Sequence, residues 1–136
     1  MIEVTNWKNV KEWRWPDFSP YEMACKGDGS LRVDETFMDT IQAVRNAVKF
    51  PMPVTSGYRS PAYNAKVSDT GEGGPHTLGL AADIAVSGPR AITLLLVAMQ
   101  LGMRGFGISQ KGTARFIHLD MAPNSPQSPR PALWSY

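Results

Sequence analysis

The segment Gly73-Gly74-Pro75-His76-Thr77-Leu78-Gly79-Leu80-Ala81-Ala82-Asp83 constrains this chain more than any other. A glycine-proline turn delivers His76 into a run of small residues that ends on a carboxylate. Leu80 to Val86 alternates as a strand does, with Ala82, Ile84 and Val86 on one face and Ala81, Asp83 and Ala85 on the other. A carboxylate in mid-strand among alanines needs a partner if it is buried. The chain has only one other histidine, His118, in Phe116-Ile117-His118-Leu119-Asp120. There the same alternation sends His118 and Asp120 out of one face. The fold has to return a loop histidine to two strand positions that lie far apart in sequence.

His76, Asp83 and His118 are the right donor types and number for a catalytic zinc, which takes three protein ligands and keeps a fourth position open. Taken singly, His76 suits an exposed loop, Asp83 can accept backbone amides, and His118 can be a satisfied core residue. The metal reading rests on the three together, and they use every histidine in the chain. Arg59, in Ser56-Gly57-Tyr58-Arg59-Ser60, follows a turn. Its guanidinium suits bidentate capture of a carboxylate as well as it suits a plain surface position.

The remaining features mostly exclude. With 136 residues the chain reads as a single domain, 1–136, with residues 1–16 as an N-terminal cap and 123–136 as a proline-rich tail packed on it. A net charge of +2 does not argue for nucleic acid. The lone Cys25 allows no internal disulfide and reads as a small buried hydrophobe. No apolar run is long enough to enter and cross a bilayer. Met1 to Val10 lacks the apolar core of a signal peptide, so synthesis in the cytoplasm without one is expected. A monomer is expected.

Local signals place the elements. Ser19-Pro20-Tyr21-Glu22 is a capping box with proline at the first helical position. Asp34 caps a longer helix whose stripe is Phe37, Ile41, Val44 and Val48. Pro51 and Pro53 stop it, and Met52 to Ser56 reads as a short strand. Ser60-Pro61 opens a helix to about Val67, and Ser68 to Gly74 is a loop. Pro89 to Leu101 is a helix closed by Gly102, and Gly105 to Ile108 and Arg115 to Asp120 are strands. This order argues for α+β, with a small central antiparallel sheet and helices packed on it.

Four stretches together resemble the zinc D,D-peptidases of the bacterial cell wall. They are Phe18 to Cys25, Val54 to Asn64, the His76-x-x-Gly79-x-Ala81-x-Asp83 stretch, and Phe116 to Asp120. That family includes D-alanyl-D-alanine carboxypeptidases, phage endolysins and murein endopeptidases, and it shares its fold with the hedgehog signalling domain. The resemblance implies one Zn2+ ion held by His76, Asp83 and His118. It implies that Arg59 binds a substrate carboxylate, in a pocket shaped by Ser56 and Tyr58. The implied reaction is hydrolysis of a peptide bond in stem peptides or cross-links of peptidoglycan, in a phage-type lysis or virion enzyme acting on the host wall. A zinc-containing module that binds the wall without cutting it is the alternative, and a hedgehog-like signalling domain the third reading. Asp120 and the arginine turn favour the enzyme.

Two departures from the pattern matter. The family usually has a serine two residues before the first histidine, where this chain has Gly74, so a polar contact is expected to be missing. Many relatives carry a catalytic acid just before the last histidine, where this chain has Ala114, Arg115 and Phe116. Asp120 is then the acid left on the right strand face, as a general base or water-orienting residue. Its other role is to support a ligand histidine. Glu72 is a weaker candidate.

Overall fold

Capping and strand alternation account for most of the elements in the computed structural model, which describes residues 1–136. The chain opens with β1 (Ile2–Val4). Then α1 (Pro20–Met23) begins on the expected capping box: Ser19 Oγ accepts the Glu22 amide and Glu22 Oε1 accepts the Ser19 amide. Next, β2 (Leu31–Val33) pairs antiparallel with β1. Each is three residues long, too short to show alternation in sequence. Asp34 caps α2 (Glu35–Val48), its Oδ1 accepting the Phe37 amide at 2.9 Å.

Five strands form the main sheet. They are β3 (Val54–Ser56), β4 (Ala81–Ile84), β5 (Gly105–Ser109), β6 (Phe116–Asp120) and β7 (Ala132–Ser135), in the order β3-β4-β6-β5-β7. Between β3 and β4 come α3 (Pro61–Val67) and a 3-10 turn at Pro75–Leu78; α4 (Pro89–Gln100) leads into β5. The architecture is α+β. All pairings in this sheet are antiparallel except β5 with β7, so the expected antiparallel sheet is mixed at one edge. The proline-rich tail crosses back after β6 to reach the open edge of β5, and its end runs alongside as β7. Ala132 N donates to Arg104 O and Tyr136 N to Ile108 O, which covers an edge that would otherwise expose unpaired backbone.

The two faces of the sheet differ in chemistry. Ala82, Ile84, Phe106, Ile117 and Leu119 face the core, where α2 contributes Phe37, Met38, Ile41 and Val44 and α4 contributes Ala91, Leu94 and Ala98. Trp15 and Phe18 are buried in the same core, and Trp15 Nε1 donates to Asp39 on α2. The opposite face carries Asp83, His118 and Asp120. A slip of one residue in register would drive these three into the apolar core, so the core pattern fixes the site.

Candidate metal centre and its cleft

One row of paired residues runs across the whole sheet: Ser56, Asp83, His118, Gly107 and Trp134. Asp83 and His118 are direct partners on β4 and β6, so strand geometry alone sets them side by side. His76 arrives from the 3-10 turn. It is clamped by the Gly57-Tyr58-Arg59 turn, because Gly57 O binds His76 Nδ1 at 2.7 Å and the Arg59 amide donates to His76 O. All three side chains are buried, and one ligand atom from each lies within 4.8 Å of the others.

The far nitrogen of each histidine is committed. A carbonyl can only accept, so His76 Nδ1 carries a proton and Nε2 presents a lone pair. His118 Nε2 lies 2.7 Å from Asp120 Oδ2, which leaves its Nδ1 facing Asp83. Both free nitrogens converge on Asp83 Oδ1, His76 Nε2 at 3.4 Å and His118 Nδ1 at 3.0 Å. Two lone pairs and a carboxylate oxygen cannot face each other without a cation between them. Zinc bonds of about 2.0–2.1 Å in tetrahedral geometry space their ligand atoms by about 3.3 Å, so this donor set fits the ion.

The electrostatics agree. Burial works to raise the Asp83 carboxyl, but hydrogen bonds and charge from His118 and His76 outweigh it and hold it well below the usual range. Burial works to lower His118, and the bonds to Asp120 and Asp83 outweigh it and raise it. The pocket calls for positive charge here, and a proton and a metal ion are alternatives for it.

Asp120 is fully buried and fully engaged. Arg130 Nε and Nη2 donate to its two oxygens, the Ala122 amide donates to Oδ1, and His118 takes Oδ2. Burial would raise this carboxyl, but His118 and Arg130 bring it down to about 2. Arg59 is also held: Nε donates to Ser56 Oγ, Nη1 to Asn64 Oδ1, and Nη2 lies 3.4 Å from Asp83 Oδ2. Asn64 is buried and spends its amide group on Thr70 Oγ1, Gly71 O and Gly73 O, tying Arg59 to the loop beside it. A cleft of about 760 Å³ opens over the centre, between this loop and the C-terminal segment.

The family model for Peptidase M15 matches residues 16–120. The chain belongs to that family. M15 peptidases are zinc-dependent, and the family points to peptidoglycan-related substrates. No curated protein and no solved structure matches the chain.

The matched M15 segment supplies His76, Asp83, His118, Asp120, Arg59 and Ser56, and the structure brings all six together. It does not bring Tyr58. Tyr58 lines a separate pocket with Glu3, Val4, Ser30 and Leu31, and its amide donates to Met23 O. The expectation that Tyr58 shapes the pocket is therefore corrected. Glu72 is exposed and lies off the cleft wall; the acid that does line the cleft is Asp69, which carries no ion pair. Cys25 is buried against Ser60, away from the centre.

Gly74 also has a reason. Its φ of 120° is one that side chains rarely adopt, and a Cβ there would lie 2.8 Å from Thr70 Oγ1. Thr70 lines the cleft, so a hydroxyl is present next to the place where relatives carry a serine.

Arg130 and Trp134 lie beyond the matched segment, and sequence reasoning missed them. The available signal was Gly105-Phe106-Gly107. Those glycines pair with Asp120 and His118, and a Cβ on Gly105 would collide with the Asp120 carboxylate. Two glycines on one face of a strand mark the space that bulky neighbours fill.

Proposed function

We propose that this chain is a zinc-dependent peptidase that cuts a peptide bond in the stem peptides or cross-links of peptidoglycan. The observation that carries the reading is the convergence of His76 Nε2, Asp83 Oδ1 and His118 Nδ1, with the opposite nitrogens already committed. These three residues would hold the ion. Bound there, zinc would supply Lewis-acid chemistry, polarising a carbonyl and lowering the pKa of water to near neutral.

The chain's own groups do the rest. Asp120 keeps the proton of His118 on Nε2 and fixes the ring, as carboxylates behind metal-binding histidines do. Arg130 keeps Asp120 ionised. With four hydrogen bonds from Arg130, Ala122 and His118, Asp120 is not free to take a proton from water. Asp69 is the cleft carboxylate without a partner, and it takes that role. Arg59, oriented by Ser56 and Asn64, offers the remaining guanidinium surface to a substrate carboxylate or oxyanion. The loop held by Asn64 walls off one side of the cleft from water.

The test is incubation of purified protein with peptidoglycan, with and without a chelator, and mass analysis of the released muropeptides. Chelator-sensitive release of peptide-cleaved fragments is expected. Zinc-loaded protein that binds the wall and releases nothing would make it a binding module instead.

A further inference from the structure

In the part of the cleft wall contributed by the C-terminal segment, Arg130 supports Asp120, whereas two aromatic residues make no hydrogen bond to the three converging donors. Trp134 and Tyr136 line the cleft, and both lie outside the segment that the M15 family model matches. Their position follows from the row across the sheet. Gly107 stands between His118 and Trp134 and has no side chain. A Cβ there would lie 2.8 Å from Trp134 Nε1 and 2.9 Å from Tyr136 Oη. The glycine lets both rings fold inward over β5. Trp134 comes to 5.3 Å from the His118 ring, and Tyr136 to 5.3 Å from the Phe116 ring, centroid to centroid.

Arg59 follows β3 and Trp134 lies on β7, the two opposite edges of the sheet. Asp83 and His118 sit on the strands between. The cleft therefore has a cationic wall on one side and an aromatic wall with a hydroxyl on the other. Arg130, the nearby cation, is committed to Asp120 and packs against the Trp134 ring. Tyr136 is 66% exposed, so its ring is accessible to a ligand in the cleft.

We propose that Trp134 and Tyr136 form a second substrate subsite, which takes the peptide stretch on the side of the scissile bond opposite to Arg59. The rings supply flat apolar contact, and the Tyr136 hydroxyl hydrogen-bonds a peptide amide. This rests on the peptidase reading above.

The experiment uses zinc-loaded wild type, Tyr136→Phe and Tyr136→Ala. Cleavage of a soluble stem pentapeptide is compared with cleavage of a dipeptide too short to reach β7. Calorimetry measures binding of the same pentapeptide to the metal-free proteins. Tyr136→Phe is expected to raise KM for the pentapeptide about fivefold, and Tyr136→Ala about twentyfold, with kcat and zinc content nearly unchanged. Affinity of the metal-free proteins falls in parallel, and KM for the dipeptide does not move. If wild type cleaves and both variants keep its KM and affinity, the subsite is overturned and the peptidase reading stands. If zinc-loaded wild type cleaves neither stem peptide nor peptidoglycan, that reading falls and the subsite falls with it.

Discussion

Arg130 grips Asp120 at two points, Nε to Oδ1 and Nη2 to Oδ2, each at 2.9 Å. The Arg130 side chain is 7% exposed and that of Asp120 is fully buried, so the pair is cut off from water. A buried pair of this kind adds little over a well-packed apolar pair, but breaking it strands a charge.

Arg130→Met should therefore cost about 3–5 kcal/mol in urea unfolding of the metal-free protein. Arg130→Lys should recover only part of that, because an ammonium cannot match both oxygens at once. A loss under about 1 kcal/mol for Arg130→Met would mean that water reaches Asp120.

The proposed function gives Asp120 and Asp69 different roles, and their amide variants separate them. Asp120→Asn should weaken zinc binding about 10–100-fold in a competing-chelator titration, with activity recovering in excess zinc. Asp69→Asn should leave zinc affinity alone and lower kcat about 100-fold or more. If Asp120→Asn keeps its zinc and loses kcat, Asp120 is the proton acceptor after all.

Gly105→Ala should destabilise the fold by about 1–3 kcal/mol and release zinc, because the new methyl meets the Asp120 carboxylate. Gly73→Ala is the control, since the nearest atom to its Cβ is 4.0 Å away. Equal melting temperatures for the two variants would show that β5 yields without strain.

The metal-free protein should be most stable on the acid side of neutrality. Asp120 sits at about 2, below roughly 3.9 for an unfolded aspartate, so its contribution is full above about pH 4 and fades as pH falls toward 2. Asp83 is depressed in the same sense. His118 is raised, so its contribution is full below about pH 6.5 and is lost as pH climbs through its folded value. Thermal unfolding of chelated protein should show a maximum between about pH 4 and 6.5. A maximum above pH 8 would contradict these shifts.

Much of the centre was legible in the sequence because strands obey a simple period. Asp83 among alanines and His118 two before Asp120 could be assigned to one face without coordinates, and helix caps at Ser19, Asp34 and Ser60 follow equally local rules. Arg130 and Trp134 were hidden for the opposite reason. Their contacts depend on a parallel pairing between segments with a crossover between them, and no local pattern announces it. Tyr58 failed at a finer level. The irregular register between Val54 and Ser56 breaks the alternation entering the turn, so spacing no longer tells which side a ring takes.

Asp83 and His118 are the two ends of one rung of the ladder, whereas His76 hangs from a single short turn pinned by Gly57 O and the Arg59 amide. Damage from heat or substitution around residues 70–79 would swing that arm away while β4 and β6 stay paired. The protein would then fail as an enzyme well before it failed as a fold, and an intact circular dichroism spectrum would be no guarantee of a working centre.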